Sequence, residues 1–410
     1  MIALRLREGG PAFVGELDEP VVERLVTAGV VVATPLGAGR WELWAGRKVG
    51  VVRIGSVTVW VRPKITIARL LWLLGWARRE VFEAPGPVSL HEMDDLVPAL
   101  AEAFCAQAER ALQKGLLQGY REVEASEAVL RGRLRTGDQL RQRFGFAVPL
   151  LIGYDDFLVD IAENQILKAA TSRLLLLDGI GEAVRARLRR IRGLLADVSD
   201  VAPGALLPTW HPNRITTRYH DALWLAELIV SGGSVDQEPG RLRLDGFLVD
   251  LHQVFENFVT ETLGAALERR SGHCQAQDRY TLDDQATIDI RPDLVWRIGG
   301  RPVAVIDAKY KAEKPAGFPQ ADVYQALAYA TAYRLDDAHL VYAHGNEVAR
   351  EWTVRHAGVR IVAHTLDLDQ APAAILGQIE ALAGRIIRAA GLESPERVSA
   401  EMAPVVSERQ

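Results

Sequence analysis

The sequence predicts an α+β multidomain chain: a small β-rich N-terminal module over 1–90, a helical connector over 91–235, a C-terminal α/β domain over 240–393 with a mixed sheet flanked by helices, and a polar tail at 394–410. Three observations predict it. Val57, Val59 and Val61 alternate with Thr58, Trp60 and Arg62, the period of half-buried strands. Apolar residues recur at helical spacing over 96–120 and 161–180. Beyond about 250, helical and strand patterns take turns, the mark of an α/β layer. At 410 residues the chain also exceeds the roughly 100–200 residues of one ordinary domain.

Taken in order, 30–35, 40–46 and 49–65 read as short strands punctuated by glycine, and Pro63 ends the pattern. A helix is expected over 68–82, before the breaker at 84–87. In the connector, the helix over 183–195 carries Arg185, Arg187, Arg189, Arg190 and Arg192. That cluster reads first as a solvated helix face and second as a surface for phosphates. The polar, glycine-rich stretch 231–240 suggests a linker. After it come a helix (254–270), a strand (293–298), a Gly299-Gly300 turn, a strand (303–310), a helix (321–334) and a strand (339–343).

Composition narrows the function. Apolar residues at 49% and charged residues at 25% describe a folding, globular chain. A formal charge of -5 provides no general attraction to nucleic acid, so any DNA contact is local or supplied by a partner. Two unrelated cysteines argue against a disulfide framework or a Cys-based zinc site and point to a reducing, cytoplasmic setting. No apolar run is long enough to cross a membrane, and MIALRLREGG lacks the apolar core of a signal peptide. No G-x-x-x-x-G-K-[ST] loop occurs, so nucleotide hydrolysis is not expected of this chain; H-E-x-x-H and G-x-S-x-G are missing as well.

The chemistry concentrates near 300. The strand VAVIDAKY exposes Asp307 and Lys309 two residues apart, hence on one face. With Gly299-Gly300-Arg301 as a three-residue hairpin loop, Asp293 falls opposite Asp307. Two close carboxylates need a compensating cation to stay ionised, and hard oxygen ligands suit Mg2+. Such an ion polarises a phosphodiester, while an ammonium steadies the developing negative charge. Of seven lysines, Lys309 alone follows a carboxylate by two residues. The same residues also fit a salt bridge at a strand end. Gln325 and Tyr329 share a helix face and could reach a phosphate, although Tyr329 also suits a core or capping role. Glu256 fits either the edge of this site or an ordinary helix surface.

The run Glu256, Arg291-Pro292-Asp293, Ile306-Asp307-Ala308-Lys309-Tyr310-Lys311 and Tyr324-Gln325 followed by Tyr329 resembles the PD-(D/E)xK nuclease core, with the glutamine-tyrosine extension of its RecB-like branch. Segments 130–140, 154–170 and 213–229 resemble the McrC family, the nuclease subunit of the McrBC modification-dependent restriction system. The resemblance spans most of the chain from about Val49 and is strongest over Leu130 to Ala343.

It implies a metal-dependent endodeoxyribonuclease with catalytic Asp293, Asp307, Lys309 and Gln325, and with Mg2+ bound by Asp293, Asp307 and Glu256. It further implies a separate McrB-like AAA+ GTPase hexamer that recognises modified DNA and receives the N-terminal module in its ring. Cutting both strands of double-stranded DNA needs two sites, so dimerisation of complexes is expected. Two other roles compete: a scaffold that stimulates the motor, and a free-standing nuclease on DNA ends or branches. The intact acidic pair with Lys309 weighs against the first, and the large non-nuclease portion against the second.

Overall fold

The computed structural model describes residues 2–76, 95–142, 148–202, 205–232, 244–310, 320–343 and 350–392. They fall into two compact units, the first within Met1–Ile67 and Pro85–Val249, the second within Ala68–Ala84 and Asp250–Gln410. The expected β-rich module up to Ile67 and the helical connector thus lie in one unit.

In the first unit, β1 (Ile2–Arg7) and β2 (Phe13–Glu16) precede α1 (Glu19–Thr27) and β3 (Val31–Gly37) to β4 (Arg40–Ala45). Strands β2, β4 and β3 form one sheet. Next, β5 (Lys48–Ile54) and β6 (Val57–Arg62), strands expected over 49–65, pair as an antiparallel hairpin, and β1 adds to β6 in parallel. Helix α2 (Ile67–Trp76) follows in the chain but belongs, from Ala68 on, to the second unit. The breaker at 84–87 lies outside the described residues, as do the tail and most of the linker.

Helix α3 (Leu96–Leu112) opens the connector, whose second element departs from the expected all-helical pattern. Strands β7 (Gly119–Glu127) and β8 (Arg133–Leu134), helix α4 (Thr136–Gln142) and β9 (Leu150–Leu158) follow, and β7, β9 and β8 form a three-stranded antiparallel sheet. Charged residues occupy both faces of β7, so the period of two carries no apolar stripe that would reveal it. Helices α6 (Glu182–Leu194) and α7 (His220–Ser231) pack on α3, and α5 (Ala162–Leu176) packs on α6 and α7.

The arginines of α6 are largely committed within the protein. Arg185 donates to the carbonyls of Leu175, Leu177 and Ile180 at 2.7–3.1 Å, closing the end of α5. Arg187 binds Glu109 through two hydrogen bonds of 3.0 and 2.9 Å and also pairs with Glu102, both on α3. Arg189 pairs with Glu182.

Strand β10 (Leu244–Asp250) lies beside β5, giving the order β1-β6-β5-β10. Gly50 and Gly246 permit this approach: a Cβ at Gly50 would lie 2.0 Å from the Phe247 carbonyl oxygen, and one at Gly246 2.3 Å from that of Val51.

The second unit continues with α8 (Leu251–Glu268), β11 (His273–Ala276), the short pair β12 (Tyr280–Thr281) and β13 (Asp289–Ile290), and then β14 (Leu294–Ile298) and β15 (Arg301–Lys309). Helix α9 (Gln320–Tyr333), β16 (Asp337–Ala343), β17 (Arg350–Thr353), β18 (Arg360–Leu366) and α10 (Pro372–Ala389) complete it. The six-stranded sheet runs β11-β14-β15-β16-β18-β17, with β15, β16 and β18 parallel and the outer pairs antiparallel. This is the expected mixed sheet. Parallel neighbours need a crossover, and α9 provides the one between β15 and β16.

On one face Ala326, Tyr329, Ala330 and Tyr333 of α9 pack over Val295, Val305, Leu340, Tyr342, Ile361 and Ala363. The alternate residues meet α8 and α10; Gly264 of α8, for example, sits over Leu294. That face also buries His339 and His364, whose Nδ1 and Nε2 lie 3.2 Å apart. Both strand faces are covered, so β15 and β16 read as continuous apolar runs, and a charged residue within them requires a reason.

Candidate active site

The β14–β15 hairpin sets the site. Gly299 and Gly300 adopt positive φ of 56° and 79°, the signature of a two-residue turn whose twist matches its strands. The three-residue loop expected from the sequence is therefore one residue too long, since Arg301 already pairs with Ile298. A bulge between Trp296 and Arg297 absorbs the difference, and Leu294 lies opposite Ile306, Val295 opposite Val305. Two departures cancel. Asp293, one step before β14, comes level with Asp307 as expected.

Asp293 is buried and held at both oxygens. Oδ2 accepts from the Ala308 amide and Oδ1 from Gln277 Nε2, each at 2.8 Å. Gln277 itself takes a left-handed backbone, φ 51°, and donates its amide to the Asp293 carbonyl at 2.9 Å. Nothing in the sequence pattern marks Gln277; its role arises from the pairing of β11 with β14.

Asp307 is 3% exposed, and its Oδ2 forms an ion pair with Lys309 Nζ but receives no hydrogen bond of good geometry. Burial, with the neighbouring Asp293 charge added, pushes its carboxyl up to about 7 against the pull of Lys309. Burial also opposes the charge on Lys309, but Asp307, Asp293 and Asp322 outweigh it and hold the lysine above its usual range.

Tyr329 Oη accepts from Gln325 Nε2 at 2.8 Å and donates to the Arg291 carbonyl at 3.3 Å. Burial and the charges of Asp307 and Asp293 raise its ionisation well above the usual tyrosine range. Thus the expected Gln325–Tyr329 face meets the acidic pair. Tyr310, just past β15, packs on His252 and Phe255 of α8 with ring centroids at 5.7 and 5.9 Å. This brings the start of α8 to the same strand end. Glu256, half-buried there, is felt at Tyr329. Among the described residues no three His, Cys, Asp or Glu side chains gather as a ligand group, so Glu256 is not drawn up with Asp293 and Asp307.

Asp322 was not foreseen. It is 4% exposed in the first turn of α9 and accepts from Tyr342 Oη at 3.0 Å. Its helical position signalled only a common first-turn acid.

Two buried carboxylates side by side form a hard, anionic recess that fits a divalent cation. Mg2+ is commonly bound through one or two carboxylates, with water and substrate oxygens completing the shell. Beside it stands one ammonium. Paired acids, a lysine and a glutamine-tyrosine helix face thus come together at this strand end.

A family model described as "McrBC 5-methylcytosine restriction system component" matches residues 43–343. The chain belongs to that family. Its fold is similar to a refined half-complex of Thermococcus gammatolerans McrB AAA+ hexamers with bound McrC, with a TM-score of 0.62 and 17% identity over 94% of this chain and 100% of that one. A Thermococcus gammatolerans McrBC complex solved by cryo-EM also matches, with a TM-score of 0.41 and 17% identity over 65% of this chain and 88% of the other. No curated protein matches the chain. Among the described residues no helix is long and apolar enough to cross a membrane.

Proposed function

We propose that the chain is the nuclease subunit of a restriction complex, a PD-(D/E)xK endonuclease that hydrolyses DNA phosphodiester bonds with Mg2+ and is driven by a separate AAA+ GTPase hexamer. The observation that carries this reading is the meeting of Asp293, Asp307 and Lys309 at one strand end, under the Gln325–Tyr329 face.

Asp293 and Asp307 would hold the ion, which polarises the scissile phosphate when bound. Asp293 stays in place because a backbone amide and Gln277 fix its two oxygens. Lys309, oriented by Asp307, presents an ammonium to the negative charge that grows on the phosphate. Gln325 and Tyr329 limit the pose of that phosphate on the α9 side. Glu256 lies close enough to tune the site electrostatically.

The division of labour rests on the sequence and the family. The chain has no phosphate-cradling loop, so GTP turnover falls to a partner of the kind in the Thermococcus gammatolerans assembly. The family description directs the complex at DNA carrying 5-methylcytosine. Pairing of two complexes would cut both strands. The test is cleavage of methylated plasmid by the assembly purified from the native host. Asp307→Ala should abolish cutting with assembly intact; cutting at the wild-type rate would overturn the assignment.

A further inference from the structure

Lys309 and Tyr342 are in register on the parallel strands β15 and β16. Side chains in register on neighbouring strands leave the same face about 4.8 Å apart, so the Tyr342 ring forms a wall beside the stem of Lys309. That ring is 1% exposed and belongs to the core under α9. Its hydroxyl donates to Asp322 at 3.0 Å.

Asp322 precedes Gln325 by three residues and Tyr329 by seven, so all three lie along one face of α9. A buried carboxylate is costly unless it is held and used. This one is bonded to a phenol at the strand end that carries Lys309, and its charge is felt by both Asp307 and Lys309.

We propose that Asp322 is a positioning residue for the cleavage reaction: through Tyr342 it fixes the wall beside Lys309 and the helical turn that delivers Gln325. The inference rests on the nuclease reading above. It acts through packing and a hydrogen bond, without contact to the reacting phosphate. A misplacement of about 1 Å can cost on the order of 100-fold in rate, so a hydrogen bond at this distance from the chemistry has kinetic weight.

The test uses the full-length chain in the assembly purified from its host, with Asp322→Leu, Asp322→Asn, Tyr342→Phe and the Leu/Phe double variant. Single-turnover plasmid cleavage, DNA affinity and thermal midpoint are measured for each. Asp322→Leu and Tyr342→Phe should each slow cleavage about 10- to 100-fold while DNA affinity stays within about twofold. The double variant should be no slower than the slower single one, because the two side chains act as one unit. Asp322→Asn keeps an acceptor for the phenol and should recover most of the rate.

Wild-type cleavage by Tyr342→Phe, additive losses in the double variant, or an Asn variant as slow as the Leu variant would each overturn the proposal. Should Asp322→Leu fail to fold, Tyr342→Phe and Asp322→Asn still decide it. Asp307→Ala serves as the separating control. If it cleaves normally, the nuclease reading itself fails; if it is dead while Tyr342→Phe is fully active, only the role of Asp322 falls.

Discussion

The Ala308 amide donates to Asp293 Oδ2 at 2.8 Å, so the residue between Asp307 and Lys309 in the chain is also the anchor of the acid opposite them. One strand thereby places three charged groups at once, two by its side chains and the third by its backbone. The hydrogen bond is buried and charge-assisted, the kind whose loss costs most.

Gln277→Ala should therefore lower cleavage about 10-fold and stability by roughly 1–2 kcal/mol, since it removes one of the two donors that hold Asp293. Single-turnover kinetics and urea denaturation check both. An unchanged rate would mean that the Ala308 amide suffices.

The raised carboxyl of Asp307 predicts a pH effect on the metal-free protein. Its folded value is pushed up to about 7 from an ordinary 3.8, so its contribution to stability is fully present below about pH 4 and is lost as pH rises toward 7. Asp307→Asn should then raise the melting temperature at pH 8 by a few degrees and change it little near pH 4. Adding Mg2+ should stabilise the wild type more at pH 8 than at pH 5 and leave the Asn variant nearly unmoved. Differential scanning fluorimetry across pH tests all three.

His339 and His364 predict the opposite slope. Burial holds them at about 4 and about 3, below the ordinary 6.5, so the stability of their neutral forms is full above pH 6.5 and lost as pH falls toward 4. His364→Leu should flatten the acid limb of the unfolding free energy between those values. Denaturation curves at pH 7 and 5 should differ less for the variant than for the wild type.

Arg187 separates a structural arginine from a phosphate contact. Because it bridges Glu102 and Glu109 on α3, Arg187→Ala should cost about 1–3 kcal/mol in stability while DNA affinity and its salt dependence stay as they were. Binding isotherms at two salt concentrations settle which role it has.

Much of the site was legible because its signals are local. Asp307 and Lys309 share a face by strand period, Gln325 and Tyr329 by helix period, and Gly299-Gly300 punctuates the hairpin. What stayed hidden depends on contacts distant in sequence. Gln277 reaches Asp293 from 16 residues upstream, and Asp322 meets Tyr342 across the α9–β16 connection. The β7–β9 pairing is likewise long-range, and its strands mix charge on both faces. Parallel addition of β1 to β6 spans more than 50 residues and leaves no trace in local pattern.

The cancelling turn and bulge also constrain how this hairpin can change over generations. Substitutions between Leu294 and Ile306 alter fit, but gaining or losing a single residue there would move Asp293 to the reverse side of the sheet from Asp307. Only a second bulge in the same lineage could restore it. The segment is thus free to drift in identity while its length is pinned, and an alignment of relatives should show gaps on either side of this hairpin and none within it.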